Sequence, residues 1–360
     1  MFLTRIDKIR ERLADRGTDV FLVSPSSNLF YLTGYGVGPD ERLFLLVLPR
    51  EKDPFIFANL LYKEQVKSLP VRDQVFWQDG EEPFSLLKDE IKKRNIKMKK
   101  AALEPQIPAF FSLPLFQAFP DTVFELGSAL IDPLRRIKDE SELELIRTAC
   151  RESDRALAAV MDKVWLGKTE RDFFRDLNGE FDRSGLSSFG ASVQSGANAA
   201  IPHYLTGDAA ISEGKCLLVD FWGRYRGYYT DCTRTFFFGK PDAEFEKIHS
   251  IVLEAYRAAE GKACVGNTLG DVDFAARSVI EKNGYGEYFT HRTGHGLGID
   301  VHEGASAAKG VNVPLEPGLV FTIEPGIYLP GRFGVRHENV VAIGEKGPEV
   351  LHKFRRNLNA

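Results

Sequence analysis

The chain opens with apolar residues at Leu3, Ile6, Ile9 and Leu13, ahead of Gly17. That spacing predicts an amphipathic helix that stops at the glycine. Short apolar runs then alternate with turns. DVFLVS (19–24), RLFLLVLP (42–49) and DPFIFAN (53–59) have the length and composition of strands. LLYKEQVKSL and PFSLLKDEIKKRN return to the helical period. The first third therefore reads as an α/β domain with a small sheet. Within it, YLTGYGVGPDER (31–42) reads as a glycine-rich loop, either an ordinary surface loop or one that reaches a partner's cleft.

Near residue 131 the texture changes. A proline-containing stretch with the basic run Arg135-Arg136-Ile137-Lys138 leads into a long helical pattern with apolar residues at Leu143, Leu145, Ile146, Ala149 and Cys150. The boundary is placed at about 130–138, giving domains 1–130 and 131–360. The second domain repeats an order of events. Helical pattern covers 139–164, and another helix begins at Thr169, where Thr169-x-x-Asp172 resembles a capping box. Strand-like segments run from Gly185 to about 238. Helical pattern returns at 242–262 and 271–283, followed by strand-like segments over 289–343. Two helices and then a sheet, twice over, predict two related halves and an α+β class. The repeat lies in the layout rather than in residue identity.

Composition narrows the setting. With 360 residues, 43% apolar and 27% charged, the chain suits a globular protein of two domains. The net charge is −4 and there is no long basic run, which argues against nucleic acid and anionic membrane surfaces as partners. No apolar stretch reaches spanning length, and the charged N-terminus does not read as a signal peptide. Cys150, Cys216, Cys232 and Cys264 form no CxxC pair, which favours a reducing cytoplasm with cysteines as small buried apolar residues.

The candidate chemistry lies in the strand-like segments. KCLLVDFWGRYRGYYTDCTRTFFFG (215–239) reads as a hairpin turning near GRYRG. Centred on Tyr225-Arg226, it makes Asp220 and Asp231 direct cross-strand partners. Two facing carboxylates repel each other. Either one sits at an exposed strand end, or Arg224 or Arg234 pairs with it, or the two share a cation. In LVFTIEPGIYLPGRFGVRHENVVAI (319–343), thirteen residues separate Glu324 from Glu338, so pairing them requires a bulge or irregular turn at Pro330-Gly331. TGHGLGIDVHE (293–303) has a GxGxG look but continues as strand, which excludes a dinucleotide loop. His295 and His302, seven apart, point to opposite faces of a strand and so carry different roles unless a turn intervenes. Taken together, Asp220, Asp231, His295, Glu324 and Glu338 form a hard, oxygen-rich set suited to two divalent first-row ions rather than a cysteine-rich structural zinc. Such a pair of ions supports hydrolysis.

At this point the chain resembles the pita-bread metallopeptidases, in particular their Xaa-Pro branch of prolidase and aminopeptidase P. The resemblance spans nearly the whole chain. It rests on LRRIKDESELELIRTA, VDFWGRYRGYYTDCTRT, GHGLGIDVHE, TIEPGIY and VRHENVV, in that order. It implies a creatinase-like N-terminal domain, a pita-bread catalytic domain and a homodimer that cleaves short proline-containing peptides. It also implies two divalent ions, of manganese, cobalt or zinc. Asp220 would hold one ion, Asp231 and Glu338 would bridge both, and His295 and Glu324 would complete the second, with Glu324 also the general base. His203 and His302 would stabilise substrate and tetrahedral intermediate, and Arg336 would act near the substrate.

There are departures from the family pattern. Trp222 separates Phe221 from Gly223 beside the first aspartate, and Gly304-Ala305-Ser306 follows Glu303 where relatives carry proline and often a basic residue. The nearest cation in sequence is Lys309, and the arginine that several dipeptidases use to hold the substrate carboxylate is not legible. The expected activity is that of an Xaa-Pro dipeptidase, with aminopeptidase P as the nearest alternative. Methionine aminopeptidase needs no such N-terminal domain, metal-free creatinase-like hydrolases lack the ligand set, and non-enzymatic pita-bread binding proteins have lost it.

Overall fold

A computed structural model describes residues 2–354 apart from 37 and 39. The chain forms two compact units, Met1–Arg135 and Arg136–Ala360.

The first unit begins with α1 (Phe2–Asp15), β1 (Val20–Val23), α2 (Ser27–Thr33), β2 (Leu45–Pro49) and β3 (Phe55–Asn59). A short α3 (Lys63–Val66), β4 (Gln74–Trp77), α4 (Pro83–Lys93), β5 (Lys100–Leu103), α5 (Ala109–Ala118), β6 (Val123–Leu126) and α6 (Ser128–Arg136) follow. The six strands form one mixed sheet in the order β4-β3-β2-β1-β5-β6. Every residue of β1, β2 and β3 is buried, as expected of strands covered on both faces. Leu87 and Ile91 of α4 and Phe111 and Leu115 of α5 pack with Val20, Leu22 and Leu45.

Two expectations change here. Ile6, Ile9 and Leu13 of α1 are buried, but Leu3 is 59% exposed. Arg5 takes the buried place instead, its guanidinium 4.0 Å from the Tyr31 ring and hydrogen-bonded to the Tyr31 carbonyl. The segment read as a surface loop is partly helix. Ser26 Oγ caps α2, Gly34 ends it in the left-handed conformation, and Tyr31 and Tyr35 are buried. Val37 and Pro39 lie outside the described residues.

The second unit has the two-fold layout. α7 (Glu140–Met161) and α8 (Glu170–Arg183) precede β7 (Ser187–Ser195), β8 (Lys215–Tyr225) and β9 (Tyr228–Phe238), which form an antiparallel sheet. Then α9 (Ala243–Lys262) and α10 (Leu269–Lys282) precede β10 (Gly294–His295), β11 (Ser306–Ala307), β12 (Val320–Ile323), β13 (Gly326–Leu329), β14 (Phe333–Arg336), β15 (Asn339–Gly344) and β16 (Gly347–Val350). The second helix of each half starts with a reciprocal capping box, Thr169 with Asp172 and Thr268 with Asp271. Each capping threonine also bridges a later segment, at Ala210 and at Pro314. The fold is α+β, with a separate apolar core under each half. No helix among the described residues is long and apolar enough to cross a membrane.

All four cysteines are free, and three are buried. Cys264 is only half-buried, because it sits in the turn after α9, where Asn267 donates to its sulfur.

Candidate active site

The hairpin that carries both aspartates turns at Arg226-Gly227, with both residues in the left-handed region. That is the conformation a tight two-residue hairpin loop demands. The centre therefore lies one residue later than the spacing suggested. Asp220 pairs with Thr233, and Asp231 with Trp222. The two aspartates are diagonal rather than direct partners, yet a shift of two positions leaves both on the same face. The cation beside Asp220 is neither Arg224 nor Arg234. It is Arg336, whose Nη2 donates to Asp220 Oδ2 at 2.6 Å. Arg234 instead donates to the carbonyls of Thr233 and Glu338 and to Asn339 Oδ1.

The two glutamates are brought together without a bulge. β12 pairs with β15 and β13 with β14 in one continuous register, in which Ile323 meets Asn339 and Gly326 meets Arg336. The loop between Leu329 and Phe333 has three residues and is centred on Gly331 at φ 73°. An odd loop lets residues with an odd number between them face each other, so Glu324 stands opposite Glu338. Both backbones turn away from ladder pairing there, with Glu324 N–H donating to Thr293 O and Glu338 N–H to Thr233 O.

The histidines also meet, contrary to the opposite-face expectation. β10 pairs with β11, and the chain reverses through 297–303, so the His295 and His302 rings approach edge to face at 4.2 Å between centroids. The glycines serve close packing. A Cβ on Gly294 would lie 1.7 Å from Thr322 O, and one on Gly296 would lie 2.1 Å from Glu303 O. Neither glycine cradles a phosphate.

Ligating atoms of Asp220, Asp231 and Glu338 lie within 4.8 Å of one another, as do those of His295, Glu324 and Glu338, and those of Asp231, His295 and His302. Asp231, His295 and Glu338 are 5%, 4% and 2% exposed. His295 Nδ1 faces the Gly296 carbonyl at 3.2 Å. A carbonyl can only accept, so Nδ1 carries the proton and Nε2 presents its lone pair. That lone pair lies 3.5 Å from Asp231 Oδ2 and 3.5 Å from Glu324 Oε1. Asp231 Oδ1 is buried with no hydrogen-bond partner among the described residues. Burial, reinforced by neighbouring acids, pushes the Asp231 and Glu338 carboxyls well above their usual range and also raises Glu324. Lone pairs facing lone pairs, with an orphaned buried oxygen among them, fit a divalent cation. The oxygen-rich donor set with one imidazole suits a hard to borderline ion.

Arg336 was expected near the substrate, whereas its partners Thr233 and Tyr328, and His291 and Glu170, were not legible in the chain. Arg336 Nε donates to Thr233 Oγ1 and Nη1 to Tyr328 OH, so its planar fork spans three groups around the aspartate. Tyr328 OH in turn meets His291 Nε2 at 2.7 Å. Burial lowers His291 to about 3 and raises Tyr328 to about 12, so both are neutral. Glu170 is fully buried and accepts from Ser195 N–H, Asn198 Nδ2 and Gly207 N–H, which ties down the loop bearing His203.

The residues open onto a cavity of about 560 Å³, within the range of small-molecule sites. His203, His302 and Arg336 line it, with Trp222 and Val301 as apolar walls and Arg292 as a further cation. Lys309 is exposed and does not line it.

Residues 144–345 match the model of metallopeptidase family M24, and residues 5–137 match that of the creatinase/prolidase N-terminal domain. The chain belongs to the M24 metallopeptidases, as a metal-dependent peptidase of the pita-bread fold. It is 34% identical to an uncharacterized peptidase of Staphylococcus epidermidis, over 98% of this chain and 100% of the relative. Among solved structures, a prolidase from Thermococcus sibiricus matches with a TM-score of 0.95 and 36% identity, covering 100% of this chain and 99% of the other. An X-Pro aminopeptidase from Thermotoga maritima matches with a TM-score of 0.85 and 31% identity, covering 97% and 99%.

Proposed function

We propose that this protein is a dinuclear metal-dependent hydrolase of the bond between an N-terminal residue and proline, with Xaa-Pro dipeptides as its first substrates. The observation that carries the reading is the convergence of four carboxylates and the His295 lone pair around an oxygen, Asp231 Oδ1, with no hydrogen-bond donor among the described residues. In the reading, Asp220, Asp231, His295, Glu324 and Glu338 would together hold the ions. Divalent manganese, cobalt or zinc bound there would supply Lewis acidity and an activated water.

The chain's own residues do the rest. The Glu324 carboxylate takes the proton of the attacking water and returns it to the leaving proline nitrogen. That nitrogen needs it, because an amide nitrogen leaves as a neutral amine only once it is protonated. His203 and His302 direct N–H groups at the carbonyl oxygen as it gains charge. Arg336 locks Asp220 in place from behind, and its reach into the cavity serves the substrate. Trp222 and Val301 offer apolar surface for the proline ring.

Dipeptide preference is supported by Arg292. Its Nη1 donates to Ser306 Oγ at 3.0 Å, and it lines a cavity otherwise rich in carboxylates, where a cation can hold the substrate's terminal carboxylate. The likeness to an X-Pro aminopeptidase supports the second reading, the same chemistry on longer peptides. A homodimer in a reducing cytoplasm completes the proposal. The free cysteines favour the compartment.

The test is to strip metal, restore manganese, cobalt or zinc in turn, and offer Xaa-Pro beside Xaa-Pro-Yaa. Preferential cleavage of the dipeptide is expected. Preference for the tripeptide would make the protein an aminopeptidase P. No cleavage with any metal would overturn the Xaa-Pro reading and favour a binding role.

A further inference from the structure

The turn that carries His302 is built around a buried ion pair whose halves lie 165 residues apart. Lys138 Nζ is 2.9 Å from Glu303 Oε1, and the two side chains are only 2% and 8% exposed. Both ends are anchored. Lys138 N–H donates to Gly318 O at 2.8 Å, and Ile137 bridges Leu319. Glu303 Oε2 accepts from Ile299 N–H at 3.0 Å and Asp300 N–H at 3.3 Å. Glu303 N–H closes the turn onto Gly296 O at 2.9 Å. A Cβ on Gly298 would lie 2.5 Å from Glu303 Oε1, so the carboxylate fills the inside of the turn.

Residues 297–303 therefore wrap one carboxylate that Lys138 neutralises. The side chains the turn sends outward, Val301 and His302, both line the cavity. A buried ion pair is a weak source of net stability, because desolvation offsets much of the attraction. Its distinctive effect here is geometric, since Lys138 Nζ is held between Glu303 Oε1 and the Arg136 carbonyl at 3.5 Å.

We infer that Lys138 and Glu303 are positioning residues, and that the pair sets the approach of His302 to His295 and to the substrate carbonyl. The kinetic part rests on the Xaa-Pro reading. Without the ammonium, the carboxylate turns toward water, the turn loosens and His302 leaves its edge-to-face contact.

The experiment is a double-mutant cycle in the metal-loaded full chain, with Lys138→Met and His302→Ala singly and together. Lys138→Met is expected to lower kcat roughly tenfold to a hundredfold, as a small misplacement of a reacting group does. In the His302→Ala background the same change is expected to alter kcat by no more than about twofold, because the residue it acts through is gone. Lys138→Arg should recover part of the loss. An equal loss in both backgrounds would overturn the inference, since a general structural defect does not depend on His302.

A second arm needs no substrate, so it separates failure of this inference from failure of the Xaa-Pro reading. Diethyl pyrocarbonate modification of the metal-free protein is followed by mass spectrometry at His302 and His203. Lys138→Met should change the rate at His302 severalfold and leave His203 unmoved. An unchanged His302 rate would overturn the positioning role. Glu303→Gln runs through both arms with the same expectations and carries the test if Lys138→Met does not fold.

Discussion

Two buried carboxylate settings in this chain contrast with each other. In the first unit Glu104 is wholly buried, yet Asn28 Nδ2 donates to both of its oxygens, at 3.0 and 3.1 Å. Arg135 Nη1 fixes the other end of that asparagine at 2.7 Å. In the second unit Asp231 and Glu338 are nearly as buried, but they face other acids and a histidine lone pair; Glu338 has the Thr233 hydroxyl as a donor, and Asp231 Oδ1 has none among the described residues. Burial pushes Glu104 up to about 7, which a protein can meet by binding a proton. A cluster of three or four acids meets the same problem better with a multivalent cation. A carboxylate buried for structure arrives with its N–H donors, whereas one buried for a ligand is left short of them.

The largest expected effect separates the two settings outright. Asp231→Asn should lower kcat/KM by about 10³-fold or more, since a catalytic metal supplies several kcal/mol. It should also abolish bound metal measured by elemental analysis, while Glu104→Gln keeps both. Full metal content and turnover in Asp231→Asn would break the comparison.

A second prediction uses pH. A carboxyl raised in the folded state contributes stability that is present below its unfolded value near 4.5 and is lost as pH rises through about 7. Glu104→Gln cannot ionise. Relative to the parent, it should gain about 3 kcal/mol between pH 4 and pH 8 in denaturant titrations. A gap that stays flat with pH would show that the Asn28 and Arg135 network already compensates the charge.

Metal linkage comes next. An ion at a hundredfold its dissociation constant should stabilise the parent by about 3 kcal/mol. The same ion should leave the midpoint of Asp231→Asn unmoved. The smallest effect sharpens the contrast within the second unit. Glu170 is a donor-satisfied carboxylate like Glu104, but its donors hold the His203 loop. Glu170→Gln should cost about 1–2 kcal/mol in stability and raise KM a fewfold with metal content unchanged. Loss of metal there would mean that loop and cluster are one unit.

Much of the architecture was legible because it is local. The long helices of the second unit followed from apolar spacing and a Thr-x-x-Asp cap. The elements that escaped broke local rules. Pro114 lies inside α5 and Pro133 inside α6, where proline normally argues against a helix, and α2 sits against a glycine-rich stretch. Arg5 replaced Leu3 on the buried face of α1 because a guanidinium can bury itself against an aromatic ring while its N–H groups bond to the backbone.

By itself the sequence determined which residues could do chemistry: two aspartates in one hairpin, two glutamates around another, and histidines beside a glycine-rich turn. It also carried the order of motifs that marks the family. Tertiary structure alone decided how they meet. A hairpin centre moved by one residue changes every partner across the ladder, and only the left-handed pair Arg226-Gly227 set it. The three-residue loop at Gly331 placed Glu324 opposite Glu338, and the reversal through 297–303 turned His302 back onto His295. The donor shortage at Asp231 and the pair of Lys138 with Glu303 are properties of space between distant segments. Periodicity records which face a side chain occupies, but hydrogen-bond supply depends on what the rest of the fold brings to that face.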